Sequence, residues 1–374
     1  MRSIQVVQKL HDAGFVAYFA GGWVRDHLLG HPSSEVDIAT NASPEEVQAL
    51  FEKTIPVGIA FGVIIVVLDG ENFEVATFRK DHPYQDGRHP EGVDFSSPEH
   101  DAQRRDFTIN GMFYDPLTKE VFDYVRGKED LKRCIIRAIG DPKERFEEDR
   151  LRMIRAVRFA ARFGFRIEEK TAKAIQEKAH TLFPAVSMER VWQEFTKLHN
   201  HSQAFVMLHR YGLLPTIFPQ LKNISIEEIE KRAAPFDRFP KNCPTILYLR
   251  EILEETTDIV PYLKASNQDQ KLLDYFATEC EDLYDWSHFY ANPYHTLYLE
   301  IEVAKGHSIN AHEERMHKLK KYIGKKPAVD SALLMQHGIR PSPLMGELLE
   351  KAARIEVNEG IDDPQEILRR IELL

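Results

Sequence analysis

The chain has little cysteine: three residues in 374, Cys134, Cys243 and Cys280, scattered and odd in number. That argues against a disulfide framework and against a zinc site of the CxxC kind, and it suits a reducing compartment. Long apolar runs are missing too. None approaches the roughly 18 residues that a membrane helix needs. Gln5, Gln8, Lys9, His11 and Asp12 break the N-terminal stretch where a signal peptide would carry its apolar segment. The expectation is cytoplasmic residence with no membrane partner. Glycine and proline number only 19 and 20, which argues against a collagen-like or largely disordered chain. There is no internal repeat. Positive charge is also outweighed: 49 Lys and Arg against 59 Asp and Glu give a net charge of −10. A uniformly basic nucleic-acid binder is excluded, whereas a local basic face is not.

At about 150 residues per domain, the length suggests two or three domains. The first 140 or so residues mix β-rich runs with helical stretches. Residues 57–70 and 72–81 read as two strands joined by a tight turn at Asp69-Gly70. Residues 120–125 read as a further strand. Residues 43–53 read as a helix with Ser43 as N-cap, Pro44 in the first turn and early carboxylates. From about 141 onward helical periodicity takes over. The expected fold class is α+β, a mixed head followed by an all-helical remainder, with DPKERFEED (141–149) as the junction.

Three constellations carry chemistry. In the first, an apolar segment ends in Gly21-Gly22, followed by Arg25 and Asp26. Paired glycines let backbone amides approach a phosphate closely, though a plain strand–turn–helix needs them as well. Glu35 and Asp37 follow. On a strand, residues i and i+2 share a face, so these carboxylates project side by side while Val36 and Ile38 face the core. A hard divalent cation relieves their repulsion, and Mg²⁺ takes one or two carboxylates plus substrate phosphates. An isolated acid–x–acid pair is equally a solvated strand end. Glu74 supplies a third acid, with Phe73 and Val75 on the other face.

The second constellation is RRDFTINGM (104–112). Arg105 suits triphosphate oxygens, Asp106 a ribose hydroxyl, and Asn110 the fixing of the loop. The third is a helix in which Arg152, Arg155, Arg158, Arg162 and Arg166 recur every three or four residues, with no acid between Asp149 and Glu168. Such a stripe repels itself, and an anionic ligand would explain it. Met153, Ile154, Val157, Ala160 and Ala161 form a separate apolar face. Asp149 and Arg152 are i,i+3 neighbours. Asp accepts from an exocyclic amino group and Arg donates to a base, so the pair has the chemistry to read cytosine or adenine without a template. An intrahelical salt bridge is the plainer reading.

GGWVRD, EVDIAT and FEVATFR, then RRDFTINGM and EDRLRMIRAVRFAARF, resemble the class II tRNA nucleotidyltransferase and bacterial poly(A) polymerase family, within the DNA polymerase β-like nucleotidyltransferases. The resemblance is strong over 19–200 and weaker beyond. It implies a catalytic head over 1–140, a nucleotide-selecting helical neck over 141–200, and an RNA-binding body and tail over 201–374. It implies that Gly21, Gly22, Arg25, Arg105, Asp106, Asn110, Asp149, Arg152, Arg155 and Arg158 bind nucleotide. Glu35 and Asp37 would hold two Mg²⁺ ions, and Glu74 would be the third catalytic carboxylate. Glu35 stands where the family usually has Asp. One added methylene requires the metal position to adjust.

Asp86, Arg88 and Pro90 match the family's loop linked to the change from C to A addition. Ser187 and Arg190 match a helix-capping motif that supports the neck. Lys318, Lys320, Lys321, Lys325 and Lys326 form a basic cluster with the charge to grip an RNA backbone, or to serve as a solvated helix end. The expected activity is CCA addition to the 3′ end of tRNA from CTP and ATP, with no obligate protein partner. An A-adding enzyme, a poly(A) polymerase and a non-catalytic nucleotide-binding module remain as alternatives. The acidic balance, and the absence of basic residues from the strand after the acid pair, weigh against the polymerase.

Overall fold

A computed structural model describes residues 2–31, 35–82, 91–254 and 258–372. Asp86, Arg88 and Pro90 lie outside the described residues. The chain divides into two compact units, Met1–Ala233 and Ala234–Leu374.

In the first unit, α1 (Arg2–Asp12) leads to β1 (Ala17–Ala20), α2 (Gly22–Leu28), β2 (Asp37–Thr40) and α3 (Pro44–Leu50). Then come β3 (Thr54–Gly58), β4 (Val63–Leu68), β5 (Glu71–Thr77), β6 (Arg79–Asp81), β7 (Val93–Phe95) and α4 (Pro98–Gln103). The head closes with β8 (Met112–Asp115), β9 (Glu120–Asp123), α5 (Gly127–Lys132) and β10 (Ile135–Ile136). Helices follow: α6 (Pro142–Glu148), α7 (Leu151–Phe163), α8 (Glu169–Lys178) and α9 (Met188–Phe195), with β11 (Arg166–Ile167) between α7 and α8. The main sheet has seven strands in the order β3-β4-β5-β2-β1-β8-β9. Only β2 and β5 pair in parallel; every other neighbour is antiparallel. The mixed sheet and the helical remainder agree with the sequence expectation.

Local chemistry accounts for several of these elements. Ser43 and Glu46 form a reciprocal capping box at the start of α3, with Pro44 in its first turn. Asp69 and Gly70 both take positive φ, 50° and 79°, so the two-residue turn matches the strand twist and closes the β4–β5 hairpin. The hairpin is shorter than the sequence suggests. Residues 57–58 belong to β3 and Ile59–Phe61 form a single helical turn. The strand break there follows a register shift between Pro56 and Gly58, where proline has no N–H for the ladder.

Two further expectations need correcting. β2 begins at Asp37, so Glu35 precedes the strand instead of sharing it. The reason is the partner: β1 ends at Ala20, the register mate of Asp37, where the chain turns at Gly21. The region after 141 is also not purely helical. Gly164 takes φ 67° and ends α7, and Arg166–Ile167 then pairs in parallel with Ile135–Ile136.

The core lies on the side of the sheet opposite Asp37 and Glu74. Ile38, Ile64, Val66, Phe73 and Val75 are buried there, and α1 and α3 pack against these strands. On α7, Met153, Ile154, Val157, Ala160 and Ala161 are all fully buried, as the apolar face required.

The second unit is helical. Its terminal core gathers Val329, Leu334, Met345, Ile367 and Leu368. Arg354, on helix Pro343–Glu359, reaches Asp282 at 2.6 Å and Asp285 at 3.0 Å and so ties that helix to Leu283–Ala291. In the lysine cluster, Lys321 pairs with Asp362 at 3.1 Å. Lys325 and Lys326 edge a cleft of about 590 Å³ that also holds Tyr284 and Tyr322.

Since the buried side of β2 fixes which way Asp37 points, Ile38→Ala should cost about 2–5 kcal/mol in urea unfolding of the first unit. An unchanged midpoint would contradict that packing.

Candidate active site

β2 and β5 run in parallel with Asp37 directly opposite Glu74. Cross-strand partners point to one side of a sheet, so both carboxylates rise from the open face. The facing residue on β4 is Ile65 and on β1 is Ala20. Neither brings a positive charge. Burial raises the pKa of Asp37, and Glu35 adds to the rise while Arg105 opposes it. Burial likewise raises Glu74, Asp37 adds to it, and Arg79 opposes it. Both residues are exposed at the open face, so solvent screens the effect, but the direction is upward for each, and the pair resists holding its full charge unaided.

Gly21 joins β1 to α2 with φ 65° and ψ −128°, a conformation open to glycine alone. A side chain would also collide there. A Cβ on Gly21 would sit 3.0 Å from Arg105 Nη1 and 3.9 Å from Asp37 Oδ2. The glycine therefore lets Arg105 and Asp37 converge above the backbone.

Opposite the carboxylates stands α7. Its arginines are neutralised from elsewhere in the chain, which explains how the stripe survives without an acid of its own. Arg155 donates to Asp106 Oδ2 from Nε at 3.0 Å and Nη2 at 2.6 Å. Arg158 pairs with Glu194 at 2.8 Å, and Arg162 with Asp26 at 3.4 Å. Arg166 falls out of the stripe. It is exposed on β11 because α7 has already ended. Asp106 is the opposite case to Asp37. Burial would raise its carboxyl, but Arg155, Asn110 and Arg152 outweigh burial and hold it at about 2. Its Oδ1 accepts from Phe107 N at 2.8 Å and from Asn110 Nδ2 at 3.1 Å. Asn110 Oδ1 in turn accepts from the buried Arg25 at 2.6 Å.

Asp149 and Arg152 make no salt bridge with each other. Asp149 accepts from Arg190 Nη2 at 3.0 Å and from Leu151 N at 3.0 Å. Arg152 pairs with Glu148 at 2.6 Å and donates to the Arg104 carbonyl at 3.3 Å. Ser187 caps α9 as expected, accepting from Arg190 N.

The thirteen residues assigned to nucleotide binding, metal or catalysis all line a single cleft of about 660 Å³. Carboxylates form its floor and guanidinium groups its wall. Such a cavity suits a polyanion that brings its own cations.

Two family models match the chain: the poly A polymerase head domain over residues 17–137, and the probable RNA and SrmB-binding site of polymerase A over residues 164–225. The CCA-adding enzyme of Lactobacillus helveticus is 35% identical over 391 residues, spanning 99% of this chain and 96% of that protein. The chain belongs to the CCA-adding enzyme family. The family member from Pediococcus pentosaceus is 50% identical over 194 residues, 52% of this chain. Among solved structures, the CCA-adding enzyme of Bacillus stearothermophilus in complex with CTP has a TM-score of 0.78 and 30% identity, covering 99% of this chain and 97% of that one. The Thermotoga maritima enzyme complexed with tRNA has a TM-score of 0.70 at 21% identity over 99% of this chain, a likeness of fold.

Sequence reasoning missed four contributors to the cleft and its supports. Arg79 and Arg104 line the cleft, and Arg190, read only as neck support, lines it as well. Glu194 holds the arginine wall together from α9. The motif SMERVWQE contains this acid, but nothing in it points to Arg158, 36 residues earlier.

The raised carboxylates give a signed prediction. At neutral pH in the absence of metal, the charged Asp37–Glu74 pair costs stability, and the cost is relieved as pH falls through its elevated pKa values. Glu74→Gln should therefore raise the melting temperature of the metal-free chain by about 1–2 °C at pH 7, an advantage that shrinks by pH 5. Asp106 acts the other way: its contribution is present above the ordinary carboxylate range and is lost as pH falls from about 4 towards 2. A lower melting temperature for the Glu74→Gln variant at pH 7 would contradict the pairing.

Proposed function

We propose that the chain transfers CMP and AMP from CTP and ATP to the 3′ end of tRNA, building the CCA terminus without a template. The observation that carries this reading is the in-register Asp37–Glu74 pair facing a wall of arginines across one cleft. Membership of the CCA-adding enzyme family supports it.

The donor set fits a hard divalent cation. Among the described residues no three His, Cys, Asp or Glu side chains converge tightly enough to hold a metal by themselves. Mg²⁺ needs no such cage, because it keeps water and takes substrate phosphates alongside one or two carboxylates. Asp37 would hold it, with Glu35 and Glu74 as further carboxylate donors. When bound, Mg²⁺ supplies charge for the leaving pyrophosphate and acidifies the attacking hydroxyl.

The remaining roles belong to side chains. Glu74 orients the 3′-hydroxyl of the acceptor and accepts its proton. Arg105, Arg155 and Arg158 take the triphosphate oxygens, with Gly21 and Gly22 allowing the close approach. Asp106 and Asn110 hold the sugar side of the site, and Arg25 locks Asn110 from behind. Asp149 accepts from the exocyclic amino group shared by cytosine and adenine, while Arg152 donates to the neighbouring ring acceptor. Arg190 keeps the Asp149 carboxylate aimed, and Glu148 does the same for Arg152. Among the described residues no helix is long and apolar enough to cross a membrane.

Labelled CTP and ATP, supplied with tRNA lacking its last three nucleotides, test this reading. Incorporation of both is expected. ATP incorporation confined to tRNA ending in CC would favour an A-adding enzyme, and long A tails on unrelated RNA would favour a poly(A) polymerase. Asp37→Ala should lower incorporation more than about 100-fold with the fold intact; near-normal activity would remove the metal role. Asp149→Ala should admit UTP and GTP while leaving triphosphate affinity within about 10-fold. Unchanged selectivity would refute its part in base reading.

A further inference from the structure

Asp101, on α4, belongs to none of the three constellations and does not line the cleft. It is 1% exposed, and both its oxygens are fully engaged by donors. Oδ1 accepts from Arg104, Nε at 2.9 Å and Nη2 at 2.8 Å, and from the backbone N–H of Arg79 at 3.3 Å. Oδ2 accepts from Arg105, Nε at 3.1 Å and Nη2 at 3.0 Å. Each oxygen thus grips one edge of one guanidinium. Burial alone would raise this carboxyl, but Arg105 and Arg104 outweigh it and hold it below the ordinary range.

The grip has a directional consequence. A planar guanidinium held along its Nε–Nη2 edge has its third nitrogen fixed in space. For Arg105 that nitrogen, Nη1, lies 3.4 Å from the Asn110 carbonyl and above Gly21, beside Asp37. The Phe113 ring backs the same guanidinium at 5.0 Å. The Arg104 backbone faces the other way, and its carbonyl takes Nη2 of Arg152. One buried carboxylate therefore fixes two successive residues, of which one reaches the carboxylate floor and the other reaches Arg152.

We infer that Asp101 is a positioning residue for nucleotidyl transfer: it sets Arg105 over the Asp37–Gly21 corner, where the triphosphate is received. This rests on the transfer reading above. It assigns Asp101 an effect on nucleotide use that acts through Arg105, without contact to substrate.

The test is a double-mutant cycle in the CTP-incorporation assay, using the full chain and tRNA lacking its CCA end. Asp101→Asn should lower kcat/KM for CTP about 10-fold or more while leaving the KM for tRNA within about 2-fold. In an Arg105→Ala background the same change should cost less than about 2-fold, because the effect runs through Arg105. An equal loss in both backgrounds, or a folded Asp101→Asn chain with unchanged kcat/KM, would overturn the assignment. Should Asp101→Asn fail to fold, Arg105→Lys serves instead. It keeps the charge but loses the two-point grip, so it should show the same CTP-specific loss, and wild-type kcat/KM in that variant would overturn the assignment. Absence of incorporation by the unmodified chain would remove the transfer reading itself, and the role of Asp101 with it.

Discussion

Two carboxylates held in register on adjacent parallel strands are the constraint on which the rest of this site depends. β2 and β5 are the only parallel pair in a seven-stranded sheet, and their register puts Asp37 against Glu74. Nothing on the flanking strands relieves the repulsion, since Ile65 and Ala20 occupy the next positions in the row. The fold thus maintains a local destabilisation on its open face, a pattern expected where a charged ligand completes the structure.

The acids of the first unit separate into two kinds. Asp101 and Asp106 are buried, saturated with guanidinium donors and held below the ordinary carboxylate range. Asp37 and Glu74, which face solvent, are shifted upward instead. The first kind organises the arginines and the second awaits a cation. Divergent carboxylate environments of this sort mark division of labour in a site. Four arginines of α7 also keep to one wall without an intervening acid, because Glu148, Asp106, Glu194 and Asp26 reach them from α6, the loop before β8, α9 and α2. The four arginines line the cleft, so an incoming triphosphate meets donors that are already oriented.

Much of this was legible in the sequence because the signals were local. Ser43 with Glu46, Asp69 with Gly70, and the apolar stripe of α7 depend on residues a few positions apart. The thirteen candidate site residues came from short motifs, and they share one cleft. What escaped was non-local. No pattern around Arg158 announces Glu194, 36 residues later, and none around Asp149 announces Arg190. The start of β2 was misplaced because it is set by where its neighbour β1 ends, and Arg166 was misplaced because Gly164 ends α7 before it. Asp101 escaped because a buried aspartate with several partners carries the same letter as a solvated one.

Direct measurement of metal binding tests the central claim most closely, since it needs no turnover. Mn²⁺ titrated into the nucleotide-free chain and followed by electron paramagnetic resonance should bind the unmodified protein. Both Asp37→Asn and Glu74→Gln should weaken that binding about 10-fold or more, because the two side chains face one ion. Binding that survives unchanged in Glu74→Gln while vanishing in Asp37→Asn would show that the β2–β5 pair does not form a shared centre, and the account would fall.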